Sequence, residues 1–479
     1  MARYENNLIV IGGGSAGLIA AYIAATVRAR VTLIERGDMG GDCLNTGCVP
    51  SKTLLASARV AATMRDAGRY GIAPVSPDID FAAVMSRVQE AVARIAPKDS
   101  MARYRSLGVD CVAGDARIVD PHHVAVGDRV LSTRSIVIAT GARPALPPIP
   151  GLNEVEPLTS DNIWSLRTRP ERLLVLGGGP IGCELAQAFA RLGSRVTIVD
   201  LEHRLLPRED AEVGALVRAS LTAEGVDVRL AHRASRFVPG ANGAGELHAD
   251  TGSGTAVIGF DRVLVAVGRR AVTEGIGLEA LGITTTPAGT IAVDDYMRTS
   301  RANIFACGDC VGPYQFTHMA SHQAWYAAVN ALFGWARKFR VNYRIVPWTT
   351  YTDPEVARVG LSEEEALRSG RRFEVTRFGF DDHDRSIADG ATEGFIKVLT
   401  EQGRDRILGV TIVGQHAGEL LAEYVFAMTH GLGLKALMST IHVYPTLAES
   451  AKLTAGAWRK AHAPEGVLRL AAWLHALRR

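Results

Sequence analysis

One unit occurs twice in this sequence, and nothing else in the chain narrows its fold so far. The first copy starts with the apolar run Leu8-Ile9-Val10-Ile11 and passes into Gly12-Gly13-Gly14-Ser15-Ala16-Gly17. A helical stretch from Leu18 to Val27 follows, then Arg30-Val31-Thr32-Leu33-Ile34, ending at Glu35. The second copy runs from Leu173-Leu174-Val175-Leu176 into Gly177-Gly178-Gly179-Pro180-Ile181-Gly182. Its helix carries Glu184, Leu185 and Phe189, and its closing strand, Arg195-Val196-Thr197-Ile198-Val199, ends at Asp200. Gly12 stands as far from Glu35 as Gly177 does from Asp200, and Arg-Val-Thr recurs ahead of each acid.

The pattern has a physical meaning. Glycines at Gly12, Gly14 and Gly17, and again at Gly177, Gly179 and Gly182, let the backbone approach a pyrophosphate at a helix N-terminus. The acid closing each second strand, Glu35 or Asp200, accepts from ribose hydroxyls. Two copies therefore predict two dinucleotides, a flavin and a nicotinamide, on an α/β chain with two Rossmann-like domains. A carboxylate at Asp200 repels a 2′-phosphate and favours NAD(H) over NADP(H), while Arg204 and Arg208 close behind it pull the other way.

Just beyond the first copy lies Gly40-Gly41-Asp42-Cys43-Leu44-Asn45-Thr46-Gly47-Cys48-Val49-Pro50-Ser51-Lys52. Two cysteines so spaced are core residues, metal ligands or a small strained disulfide. Pro50 suits the first turn of a helix through Leu54, Leu55 and Val60. A helix N-terminus and the Lys52 charge both lower a thiol pKa. With a dinucleotide fingerprint just upstream, a redox-active disulfide beside a flavin is the reading that uses all of these features.

Bulk properties fit a globular enzyme. Of 479 residues, 47% are hydrophobic and 22% charged, and the length suits about three domains. A net charge of +3, without a basic run interleaved with aromatics, argues against nucleic acid. The run Leu8 to Ile11 is too short for a signal peptide, and the polar lead Met1 to Asn7 enters the first strand directly. Six cysteines do not make a disulfide scaffold, so a reducing, cytoplasmic setting is expected.

CLNTGCVPSK resembles the redox motif of the class I flavoprotein disulfide reductases, which include dihydrolipoamide dehydrogenase, glutathione reductase and mercuric reductase. The resemblance runs from about Asn7 to about Lys452. It implies that the first unit binds the ADP half of FAD. Ala139-Thr140-Gly141 resembles the turn leading to the second unit, and Val263 to Arg270, with Gly268, the turn leading back. Ile304 to Cys310 resembles the second FAD motif, with Asp309 accepting from a ribityl hydroxyl. That motif accounts for Cys307-x-x-Cys310, otherwise open to a metal or redox reading. Glu184 is expected to pair with Lys52 near the flavin ring, and Cys48 to form a charge-transfer thiolate while Cys43 attacks the substrate.

The implied layout is FAD-binding residues 1–150, NAD(P)-binding residues 151–270, FAD-binding residues 271–345, an α+β dimerisation domain over 346–460, and a tail over 461–479. Pro347 to Ala357 resembles the start of that dimerisation domain. In relatives the partner subunit completes each active site, so an obligatory homodimer is implied.

The completing segment, Ile441-His442-Val443-Tyr444-Pro445-Thr446-Leu447-Ala448-Glu449, departs from much of the family. Dihydrolipoamide dehydrogenases and glutathione reductases place a catalytic histidine before the proline, oriented by a glutamate. Here Glu449 is in place, but Tyr444 holds the histidine position. Imidazole titrates near pH 6.5 and phenol near 10, so tyrosine is a poor base toward a dithiol. His442 could substitute on an extended loop; as an alternative it packs or caps. Tyrosine also stands there in mercuric reductases, but no cysteine follows Cys310 to match the C-terminal cysteine pair of those enzymes, and a counterpart of the N-terminal metal-binding domain that many of them carry is not expected. A disulfide or thiol-bound metal acceptor is the leading expectation, with no resident metal. Dihydrolipoamide oxidation, a redox partner or sensor without small-substrate turnover, and a thiol-independent NADH oxidase follow in that order. In the tail, Val467, Leu470, Ala471, Leu474 and Leu477 share a helical face, which can pack on the protein, on its dimer mate, or on an anionic membrane surface.

Overall fold

The computed structural model describes residues 4–479, so the lead residues Met1 to Arg3 lie outside the described residues. The chain forms two units, one running to His203 and resuming over Glu224–Asn342, the other made of Arg204–Ala223 and Tyr343–Arg479.

In the first unit, β1 (Asn6–Ile11) lies parallel between β2 (Val31–Glu35) and β3 (Arg129–Ile138). Leu8, Ile9 and Val10 have no solvent exposure, as a strand covered on both faces requires. Residues Val109–Ala113 extend the sheet in parallel beyond β2, and an antiparallel hairpin of Ala116–Asp120 and His123–Val126 extends it beyond β3. Two helices matter here: α1 (Ser15–Thr26), which follows the first glycine loop, and α2 (Cys48–Arg65). The helix predicted through Leu54 starts at Cys48 itself, so the second cysteine sits on its first turn and Pro50 is its third residue. The stretch expected to be helical over Asp80 to Leu107 breaks around Pro97 into Phe81–Ile95 and Met101–Ser106, because proline cannot donate to the preceding turn.

After β3 the chain leaves this sheet for a second, all-parallel one. Its β4 (Arg172–Leu176) lies between β5 (Arg195–Val199) and Arg262–Val265, with α3 (Pro180–Arg191) joining β4 to β5. A three-stranded antiparallel sheet over Arg233–Phe260 accompanies it. The outgoing segment Ala142–Pro144 and the returning segment Arg269–Ala271 pair antiparallel, Ala142 opposite Ala271. The chain then rejoins the first sheet as β6 (Ile304–Ala306), parallel to β3, and continues into α4 (Thr317–Phe333).

The second unit is α+β. Its five-stranded antiparallel sheet runs in the order Pro347–Thr350, Glu355–Gly360, Ile407–Gly414, Phe395–Glu401, Phe373–Gly379. Helices α5 (Ala417–Thr429) and α6 (Glu449–Ala461) close its core through Leu421, Tyr424, Ala455 and Trp458. A last helix, α7 (Glu465–Leu477), keeps Val467, Leu470, Leu474 and Leu477 exposed. Among the described residues no helix is long and apolar enough to cross a membrane.

Candidate active site

The cysteine segment is held against the first glycine loop. Gly40 N donates to Gly13 O at 2.8 Å, and Gly41, at φ +60°, would place a Cβ 2.6 Å from the Gly14 Cα. Only glycine permits that approach. Asn45 Nδ2 donates to Met39 O at 3.1 Å and Gly41 O at 3.0 Å, and Trp164 Nε1 donates to Thr46 O at 2.9 Å. These bonds fix the loop that carries Cys43 to the start of α2.

Cys43 and Cys48 are both free thiols here. Cys43 donates a hydrogen bond to Cys48, and this bond is the main reason the Cys48 pKa falls to about 6. The Thr317 hydroxyl, 3.6 Å from Cys48 Sγ, and the Lys52 charge lower it further, against burial and the Glu184 charge. The same hydrogen bond, with burial, pushes the Cys43 thiol up. The pair is thus asymmetric, a thiolate at Cys48 and a proton at Cys43. Lys52 Nζ lies 2.8 Å from Glu184 Oε2, whose carboxylate is buried on α3.

The two glycine loops are built alike. A Cβ at Gly17 would come within 1.7 Å of Gly12 O, and one at Gly182 within 2.0 Å of Gly177 O. Those positions are closed by packing. Gly12 and Gly177, at φ +108° and +114°, make the turn. The middle glycines face open space: nothing lies within 4 Å of a Cβ built at Gly179, and only Gly41 Cα, at 3.6 Å, near one at Gly14. Helices α1 and α3 have no side-chain N-cap, so their first N–H groups remain available to a phosphate. Glu35 accepts from Gly13 N and from Gly37 N at 2.7 Å; Asp200 accepts from Gly178 N and from Glu202 N at 2.8 Å. Each acid therefore lies beside its own loop, and both cradles fit a dinucleotide.

Thr140 Oγ1 donates to Val272 O at 2.6 Å, tying the outgoing turn to the returning one. Gly141 and Gly268, at φ +70° and +135°, make those turns. Asp309 is half-buried, and the loss of solvent raises its pKa to about 6, with Asp42 and Cys48 adding to the rise and Arg269 opposing it. The Arg269 guanidinium pairs with Asp42 and lies 3.7 Å from Asp309. Cys310 Sγ donates to Cys307 O at 3.2 Å. Burial holds both of these thiols protonated, Cys310 at about 11 and Cys307 well above the ordinary thiol value.

In the second unit, the Tyr444 hydroxyl donates to Asp384 Oδ2 at 2.9 Å, and this bond raises the phenol pKa. His442 makes its contacts elsewhere, with Glu423 and Thr440. Its Nε2 lies 2.9 Å from Glu423 Oε1 and its Nδ1 3.1 Å from Thr440 O. Glu449 opens α6, and its charge acts on the buried His383, next to Asp384. Three carboxylates, Asp210, Glu212 and Glu363, lie close enough to hold a metal ion, but the Lys397 ammonium sits among them at 2.6, 2.6 and 3.1 Å.

Sequence reading did not single out Thr317, Arg269, Asp42 or Asp384 for the site. Asp42 and Arg269 adjoin Cys43 and Gly268, so their neighbours in sequence carried a signal; Thr317 and Asp384 carry none.

The family model described as pyridine nucleotide-disulphide oxidoreductase matches residues 6–324, and its dimerisation domain matches residues 346–455. A mercuric reductase of Shigella flexneri is 38% identical over 95% of this chain and 81% of its own length. A dihydrolipoyl dehydrogenase of Chlamydia muridarum is 35% identical over 92% of this chain and 94% of its own. Among solved structures, the Cu(II) complex of the HOCl-induced flavoprotein disulfide reductase RclA of Escherichia coli superposes with a TM-score of 0.83. It is 28% identical and covers 95% of this chain and 99% of its own.

Proposed function

We propose a reaction for this chain, which belongs to the pyridine nucleotide-disulphide oxidoreductase family, in which electrons from NADH pass through FAD and the Cys43–Cys48 pair to a disulfide or a thiol-bound metal ion. Members of the family use FAD and NAD(P)H, and the dimerisation domain makes the chain one half of a homodimer. We assign FAD to residues 1–150 and 271–345, the nicotinamide to 151–270 and subunit contacts to 346–460, in a cytoplasmic setting. Ile441 and Val443, 93% and 75% exposed, supply apolar surface for the second subunit.

FAD, with Gly14, Glu35 and Asp309 to hold it, would supply two-electron transfer between the nicotinamide and the cysteine pair. Gly14 and Gly179 leave room for the two pyrophosphates, Glu35 and Asp200 hold the ribose hydroxyls, and Asp309 holds a ribityl hydroxyl. Lys52, fixed by Glu184, favours the Cys48 thiolate. With a disulfide acceptor, Cys43 passes its proton to Cys48 along their hydrogen bond and attacks one sulfur, which releases the first product as a thiolate and leaves a mixed disulfide. Cys48 then attacks Cys43, releasing the second thiol and re-forming the Cys43–Cys48 bond. The partner subunit's Tyr444 protonates the departing thiolate and recovers its proton from solvent.

One observation carries the preference for a metal or small disulfide over dihydrolipoamide. Tyr444 stands at the expected base position as a phenol whose proton is held by Asp384, so it can donate but not abstract near pH 7. The Cu(II) complex of RclA and the mercuric reductase relatives lend support to a metal acceptor. The dihydrolipoyl dehydrogenase relative favours a second reading, dihydrolipoamide oxidation with NAD⁺ and His442 as base. The test is steady-state NADH oxidation by FAD-loaded dimer, offering lipoamide, Hg(II) with excess thiol, and Cu(II) with excess thiol. Turnover confined to a metal supports the first reading. Brisk reduction of NAD⁺ by dihydrolipoamide, measured in parallel, replaces it with the second.

A further inference from the structure

A cavity of about 520 Å³ opens in the first unit among residues that the chemistry above does not use. It lies at the amino ends of the parallel strands. Tyr4 precedes β1, Asn303 precedes β6, and Ser135 of β3 pairs with Leu8 near the start of β1. The flavin loop begins at Gly12, after the opposite end of β1, so the sheet separates the two places.

The cavity lining includes Arg134, Arg298, Lys338 and His122 and no carboxylate. Arg298 is balanced by Asp294 at 2.9 Å. Among the described residues, no ion pair is formed by Arg134 or Lys338, which leaves two cations uncompensated. The C-terminus of α4 contributes about half a negative charge, too little to cancel them. His122 Nδ1 lies 2.9 Å from Thr133 O, which can only accept, so Nδ1 carries the proton.

Aromatic faces accompany the cations. Tyr4 stacks on His122 with centroids 4.7 Å apart, and Lys338 Nζ lies 5.8 Å from the Tyr296 ring centre. Trp335, on the rim, is 79% exposed and makes no ring contact among the described residues. The walls are braced: Asn330 Nδ2 donates to Tyr296 O at 3.0 Å and Phe339 O at 2.8 Å, and Asn303 Nδ2 to Pro121 O at 2.6 Å. The volume falls within the range of roughly 300–1,000 Å³ usual for small-molecule sites.

Unpaired cations call for an anion, and exposed ring faces call for a flat π-system. We propose that this cavity binds a small planar aromatic anion of the purine nucleoside monophosphate class, separately from both dinucleotide loops. The stacking surfaces are Trp335 and Tyr296, and the phosphate lies toward Arg134 and Lys338.

The test is calorimetric titration of FAD-loaded enzyme, with NAD⁺ at saturation to fill the second unit, using AMP, adenosine and inorganic phosphate in separate runs. AMP is expected to bind once per subunit and more tightly than either fragment. Arg134→Glu and Trp335→Ala, both at exposed side chains, are each expected to weaken AMP by about tenfold or more with the KM for NADH unchanged. No AMP binding to the unmodified enzyme, undiminished binding by both variants, or phosphate binding as tightly as AMP would each overturn the proposal.

Discussion

The Tyr444 hydroxyl donates its hydrogen bond to Asp384, sixty residues earlier in the chain. The bond fixes both the direction of the phenol and its proton. Tyr444→Phe should therefore lower kcat/KM toward the metal or disulfide acceptor by about a hundredfold, while NADH still reduces the flavin at the unmodified rate. Asp384→Asn should leave the proton on the tyrosine but loosen its aim, with a smaller loss. Rapid-mixing measurements of flavin reduction and of reoxidation by acceptor separate the two half-reactions.

The Cys48 thiolate should disappear as pH falls through about 6. Alkylation of the reduced enzyme at Cys48 is expected to follow that profile, because only the thiolate is nucleophilic. Removing the neighbouring positive charge with Lys52→Met should move the inflection upward. Replacing the hydrogen-bond donor with Cys43→Ala should move it further, since that bond is the largest contribution to the low value. Mass spectrometry of the modified peptide across a pH series reads all three.

Asp200 already accepts two backbone N–H groups beside the second glycine loop. A fixed carboxylate there repels a 2′-phosphate. Asp200→Ala should narrow the preference for NADH over NADPH, chiefly through the two KM values.

Lys397 is almost fully buried among Asp210, Glu212 and Glu363. Lys397→Met keeps the length of the side chain but leaves three carboxylates facing one another. A loss of about 3–5 kcal/mol is expected, as for other buried charges stripped of a partner. Urea unfolding at neutral pH checks this. Part of the loss should return at mildly acidic pH, where the abandoned carboxylates take up protons.

What could be read in advance follows from how each feature is encoded. Buried parallel strands are continuous apolar runs, so β1 and β4 were visible, as were the glycines that punctuate them. Strand β3 was visible only from Ser135 onward, because its first half, from Arg129, forms a half-exposed hairpin with His123–Val126. The cysteine segment carried its own context in Pro50 and Lys52. Asp384 and Thr317 did not, since a polar residue recruited by a distant partner leaves no local pattern. His442 shows the converse. It stands two residues from Tyr444 in sequence, yet its side chain pairs with Glu423.

The outgoing segment Ala142–Pro144 and the returning segment Arg269–Ala271 are hydrogen-bonded neighbours. The whole excursion between them is thus a loop whose mouth is already sewn shut, hung on a sheet that closes without it when β6 joins β3. Such an arrangement is modular. A cassette with adjacent ends can be exchanged for another of different electron donor, and the host sheet need not change its strand order to receive it.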